Sequence, residues 1–134
     1  MTLSALMKAL VVTAPNDALR LAEVPRPVPG PGEVLVKIHA SGVNPLDTKI
    51  RAGAAPHARH QLPAILGLDM AGIVEQVGPG AERFRPGDAV YGIVGGVGGV
   101  QGTLAEYAAV DAALLAHKPA TLTMREAAAL PLVA

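Results

Sequence analysis

Apolar residues fall in short runs along this chain, and glycine or proline interrupts nearly every one. Met7 to Thr13 is an aliphatic, β-branched stretch that breaks at Pro15-Asn16-Asp17, after which Leu19-Arg20-Leu21-Ala22-Glu23-Val24 alternates apolar with polar at period two. Successive side chains of a strand point to opposite faces, so the two stretches predict a hairpin. Pro25, Pro27, Pro29 and Pro31, with Gly30 and Gly32, then forbid a regular ladder and predict a surface connection. Glu33 to Ala40 resumes strand character.

Asn44-Pro45 predicts a short helix running through about Ala52: asparagine is a favoured cap, proline suits the first helical position, and Asp47 places a carboxylate at the positive end of the dipole. Gly53 closes it, and Ala54 to Pro63 reads as an exposed loop. Met70 to Val77 is the next strand, ended by Gly78-Pro79-Gly80. Arg85-Pro86-Gly87-Asp88 has the order a type II turn requires and feeds a strand from Ala89 to Val94. A hairpin is expected to follow across the glycine tract, with further strands at Leu104 to Val110 and Leu114 to His117. Thr123 with Glu126 forms a capping box for a final short helix, Arg125 to Leu130. The sum is a mainly β domain, a barrel or sandwich with small helical additions.

Composition narrows the function classes. The chain has 134 residues, 51% of them hydrophobic and 16% charged, which fits one compact domain with an aliphatic core. Eleven basic residues balance eleven acidic ones, leaving no field to gather nucleic-acid or lipid phosphates. Phe84, Tyr91 and Tyr107 are the whole aromatic complement, too few for a base-stacking platform. Cysteine is absent, so no thiolate serves as nucleophile or metal ligand. The uncharged stretch Ala89 to Ala105 is too rich in glycine for a membrane helix, and the first residues lack the pattern of a secretory signal. No nucleic acid and no membrane is expected as partner, and the cytoplasm is the default compartment.

Several local signals fail on inspection. Gly95-Gly96-Val97-Gly98-Gly99-Val100-Gln101-Gly102 does not satisfy G-x-G-x-x-G from any start, and no strand-to-long-helix unit surrounds it, so it reads as a flexible loop near a cleft mouth. His57 and His60 lie three apart but lack an acidic or thiol third ligand. His39 and His117 have no sequence-near partner, and Ser41 has no nucleophile-elbow context.

An ordered set of motifs carries more. Met7-Lys8-Ala9, Pro29-Gly30-Pro31-Gly32-Glu33-Val34-Leu35-Val36-Lys37, Ala40-Ser41-Gly42-Val43-Asn44, Gly67 through Gly78, Phe84, Pro86-Gly87-Asp88-Ala89-Val90, Gly102-Thr103-Leu104-Ala105-Glu106-Tyr107 and Ala127-Ala128-Ala129-Leu130-Pro131 follow one another in sequence. Together they resemble the N-terminal, GroES-like domain of the medium-chain dehydrogenases/reductases. The resemblance implies a partly open β-barrel with two or three short helices. Residues 1–134 would be the substrate-side (catalytic) domain, truncated before a nucleotide-binding Rossmann domain that this chain lacks.

Zinc alcohol dehydrogenases of that superfamily place cysteine where this chain has Asn44, and a His-Glu pair where it has Leu68-Asp69. The chain is instead similar to the zinc-independent branch, the quinone oxidoreductases and enoyl reductases, in which an Asn-Pro-x-Asp run replaces the metal-binding segment. The resemblance implies NADPH as cofactor, no zinc, and hydride transfer to a quinone or enone-like small molecule, with little activity expected of this domain alone. Asn44 would face both the nicotinamide and the substrate cleft, Asp47 would support it, and Lys49 occupies a place often held by tyrosine. Asp69 is the further candidate, balanced against a structural role as a hydrogen-bonded acid at a strand start. A homodimer is among the assemblies allowed. Two alternatives stay open: a self-standing GroES-like binding or assembly module, and a zinc-type alcohol dehydrogenase with unusual ligands such as Asp69 and the loop histidines.

Overall fold

A computed structural model of the chain describes residues 5–132. The expected hairpin forms from β1 (Leu6–Val12) and β2 (Arg20–Pro25), antiparallel from Leu6 opposite Pro25 to Val11 opposite Arg20. With β4 (Ala64–Ile65) on the other side of β1, they make a three-stranded sheet. The second sheet has five strands in the order β7-β3-β5-β6-β8: β3 is Glu33–Ser41, β5 Asp69–Val77, β6 Ala89–Ile93, β7 Tyr107–Asp111 and β8 Ala116–His117. An antiparallel bridge between Ala9 and Ala105 ties the sheets together, as a partly open barrel requires. Two register shifts along β3, between Leu35 and Val36 and between Ile38 and Ala40, bend that strand around the core.

Helix α1 (Pro45–Arg51) starts where Asn44-Pro45 predicts, and the Gly53 amide closes it on the Ile50 carbonyl. Helix α2 (Met124–Ala128) has its capping box in full: Thr123 N donates to Glu126 Oε1 at 2.9 Å and Glu126 N to Thr123 Oγ1 at 3.1 Å. It stops before the expected Leu130, because Pro131 disfavours helical backbone just ahead of it. The turn at Arg85 closes by an Asp88 N–H to Arg85 carbonyl bond of 3.0 Å, with Gly87 at φ 96° as a type II turn demands.

Four expectations change. β6 does not form a hairpin with the strand after the glycine tract. It pairs with β5 and β8, while the tract crosses over so that β7 can take the open edge of β3. Nor is that tract loose: Gly98 N–H bonds the Ala58 carbonyl, Gly99 N–H bonds His60 Nδ1, and Gly102 N–H bonds the Ile65 carbonyl. The stretch from Ala54 to Pro63 is only partly an exposed loop, since it holds a 3₁₀ turn at Pro56–Ala58 and buries Ala55 beside Val12, Ile50 and Leu66. Leu114 likewise sits in a 3₁₀ turn (Ala112–Leu114) rather than a strand.

The main core lies on one face of the larger sheet, where Val34, Val36, Met70, Val74, Val90 and Val110 surround Phe84. Ala71 packs instead against Ala127 and Ala128, seating α2 at the start of β5. The first turn of α1, the start of β5 and the segment after α2 therefore meet at one place.

Candidate active site

Asn44, Asp47, Asp69 and Thr103 are the buried polar and charged residues of the described chain, and all four belong to one cluster. Asn44 ends the loop after β3, Asp47 lies in the first turn of α1, and Asp69 opens β5. Each sits at the edge of an element, where the backbone ladder is ending and side chains must take over its hydrogen bonds.

The Asn44 side chain sits at the cap but makes no capping hydrogen bond of good geometry. The Asp47 amide bonds the Asn44 main-chain carbonyl at 3.0 Å, and Asp47 Oδ2 accepts the Asn44 amide at 2.9 Å. Relieved of capping, the carboxamide reaches across to β5, where Nδ2 donates to Asp69 Oδ2 at 3.0 Å. An ionised carboxylate only accepts, so the N–H end of Asn44 must face Asp69 and the amide cannot flip without losing the bond.

Asp69 is fully buried and gathers contacts from four directions. Its Oδ2 also accepts the Leu132 amide at 3.3 Å, and its main-chain carbonyl accepts Gly42 N–H at 3.0 Å and the Thr103 hydroxyl at 3.1 Å. The Thr103 hydroxyl pairs in turn with Ser41 Oγ at 2.5 Å. Gly67 is required here: its φ is 107°, and a β-carbon would run into Thr103, whose amide bonds the Gly67 carbonyl at 3.1 Å. Gly42 is held close for another reason, since a β-carbon there would stand 2.6 Å from the Ala128 carbonyl and 3.1 Å from Asp69 Cβ.

Both carboxylates keep one buried oxygen, Oδ1, without a hydrogen-bond partner. Burial raises the Asp47 pKa above the ordinary carboxylate value. The amides of Asn44 and Gly67 pull it back, although Gly67 is not placed to complete a hydrogen bond to Oδ1, and the Asp69 charge adds to the rise. Asn44 thus links two acids, its carboxamide on Asp69 and its main-chain amide on Asp47, and Asp47 takes up a proton more readily than a free aspartate.

Of the candidates read from sequence, Asn44, Asp47 and Asp69 converge and Lys49 does not; it lies exposed on α1 while Asp47 and Ile50 face inward. Thr103 and the Leu132 amide were missed. Thr103 is 34 positions from Asp69 and carries no local signal, so only the closed fold brings it in. Beside the cluster, Leu10, Leu19, Val43, Leu66 and Leu104 line a small apolar cleft of about 180 Å³ that Asp47 borders. Among the described residues, no three of His, Cys, Asp or Glu converge as a metal site would need. No helix of the described residues is long and apolar enough to cross a membrane.

Comparison with known proteins places this geometry in a family. Residues 30–120 match the alcohol dehydrogenase GroES-like domain. A chloroplast quinone oxidoreductase of Triphysaria versicolor is 39% identical over 115 residues, covering 85% of this chain and 34% of the relative. A 2-methylene-furan-3-one reductase of Solanum lycopersicum is 43% identical over 104 residues, 75% of this chain and 27% of that one. The crystal structure of an alcohol dehydrogenase superfamily protein from Novosphingobium aromaticivorans superposes with a TM-score of 0.93 at 63% identity, over 94% of this chain and 38% of that one. The chain spans about a third of the length of the curated relatives it matches.

Proposed function

The chain belongs to the alcohol dehydrogenase GroES-like domain family, in the quinone-oxidoreductase-like branch of the medium-chain dehydrogenases/reductases, and from that membership we propose that it is the substrate-side domain of a zinc-independent, NADPH-dependent reductase of quinones or enone-like acceptors. The observation that carries the reading is the buried Asn44 carboxamide, held by Asp69, at positions where the resemblance to zinc alcohol dehydrogenases would imply metal ligands. The donors here do not suit catalytic zinc: Leu68 has no lone pair, and Asn44 turns its N–H end, not its oxygen, to the carboxylate.

A nicotinamide nucleotide, when bound, supplies the hydride. What this chain adds is a polar donor at the acceptor. Hydride arriving at a quinone or enone leaves negative charge on the acceptor oxygen, and Asn44 keeps a second Nδ2–H beyond the one given to Asp69. Val43, exposed beside it, and the leucines of the adjoining cleft offer an apolar surface to the ring or chain of the acceptor.

The test is NADPH oxidation by the complete gene product, with 1,4-benzoquinone and an α,β-unsaturated ketone as acceptors. Turnover is expected with at least one, and Asn44→Ala should lower kcat on the order of 100-fold while leaving the KM for NADPH near its original value. The 134-residue chain by itself is expected to give no turnover. A complete product that reduces neither acceptor would sink the reading and favour a binding module.

A further inference from the structure

A second cleft, of about 690 Å³, opens beside the C-terminal end of α1 and is lined by Ile50, Ala55, Pro56, Arg59, His60 and Gln61. Its lining combines the apolar Ile50, Ala55 and Pro56 with one cation, Arg59, and no acidic residue contributes to it. The neighbouring cation Arg51 is tied to the β1–β2 turn, Nε on the Asp17 carbonyl at 2.8 Å and a terminal nitrogen on the Asn16 carbonyl at 3.0 Å. Arg59 differs, for no hydrogen bond or ion pair among the described residues engages its guanidinium.

The backbone at Arg59 is also unusual. Its φ of 52° is left-handed, a conformation that glycine or asparagine adopts with less strain than arginine. Backbone strain of this kind gathers at functional sites. His60 braces the cleft: Nδ1 accepts the Gly99 amide at 3.2 Å, so the ring proton sits on Nε2 facing the Ile65 carbonyl at 3.4 Å. The cleft therefore joins the loop after α1 to the glycine tract.

We propose that this cleft binds a small organic anion, its carboxylate held by the Arg59 guanidinium and the Gln61 carboxamide and its apolar body laid on Ile50, Ala55 and Pro56. A planar guanidinium takes a carboxylate by two parallel hydrogen bonds, which a neutral analogue of the same shape cannot form. The inference uses nothing from the redox reading, so either can fail alone.

The experiment is an amide NMR titration of the 134-residue chain with sodium benzoate, and in parallel with benzamide and with inorganic phosphate. Benzoate should shift the amides of residues 55–61 and Gly99 saturably, and benzamide and phosphate should bind about tenfold more weakly, each lacking one half of the recognition. Arg59→Gly is the decisive variant. Glycine relieves the left-handed backbone, so thermal stability should hold or rise while benzoate affinity falls about tenfold. Equal benzoate binding by the variant, shifts centred on Asn44 and Asp69 instead, or benzamide binding as well as benzoate would each overturn the proposal. Phosphate matching benzoate would remove the role of the apolar residues and with it the organic anion.

Discussion

Along β5, neighbouring residues are buried to the same degree and on opposite terms. Met70 and Val74 have only apolar partners and pack around Phe84 with Val34, Val90 and Val110. One residue earlier, Asp69 is as inaccessible as Met70, yet it brings a carboxylate with an unpaired oxygen and stands near a second acid with the same defect. Burial stabilises the apolar stretch, at about 25 cal/mol per Å² of apolar surface removed from water, whereas for Asp69 it is a cost. That cost is on the order of 1–3 kcal/mol for each polar atom left without a partner. The strand holds because its apolar stretch offsets its polar start, and the strain gathers where chemistry is proposed.

The sharpest way to break that contrast is to remove the apolar anchor. Phe84 is 1% exposed, touches the His117 ring at 4.9 Å between centroids, and lies under the Arg83 guanidinium at 4.5 Å. Phe84→Ala should cost about 3–5 kcal/mol in urea unfolding, the loss of a buried ring plus the cavity it leaves. A cost below about 1 kcal/mol would mean that the core around Val74 and Val90 collapses into the space and that the apolar stretch is not the anchor.

A smaller effect is expected at the polar end. Asn44→Asp keeps the shape but sets a third carboxylate 3.0 Å from Asp69 Oδ2, replacing a donor with a like charge. At neutral pH we expect a loss of about 2–3 kcal/mol, recovered in part on acidification as one of the acids takes a proton. Unchanged stability at neutral pH would show that water reaches the cluster and screens it.

The same contrast explains what the sequence could convey. Period-two alternation and glycine or proline breaks are local signals, and they located β1, β2, β3, β5, β6 and both helices. What they could not convey is which strand pairs with which: β7 joins β3 across the whole domain, and nothing within residues 94–107 distinguishes that from a hairpin with β6. The site followed the same division. Asn44, Asp47 and Asp69 became candidates through the resemblance, while the residues themselves conveyed only a cap, a first-turn carboxylate and an acid at a strand start. Their mutual arrangement was not legible, because helix capping explains Asn44 equally well until Nδ2 is seen on Asp69 instead. Lys49 came from resemblance alone, and the period of α1 places it on the exposed face, away from Asp47 and Ile50. The glycine tract read as loose because hydrogen bonds from Gly98, Gly99 and Gly102 to residues 58–65 are invisible along the chain.

The smallest predicted effect is the most discriminating, because it runs in the stabilising direction. Burial raises the Asp47 pKa above 3.8, so in the interval between 3.8 and the native value the folded state holds more protons than the unfolded one. Stability contributed by this group then falls as pH rises through that interval, and the deficit persists above it. Asp47→Asn removes the charge and retains an oxygen for the Asn44 amide. The variant should therefore melt higher than the parent at neutral pH, and the difference should shrink towards zero as acid protonates Asp47 in the parent. Other carboxylates titrate in both proteins, so the difference in melting temperature across pH is the quantity to follow. A variant less stable than its parent at every pH would mean that the amides of Asn44 and Gly67 outweigh burial, and that the ionised Asp47 supports the fold rather than straining it.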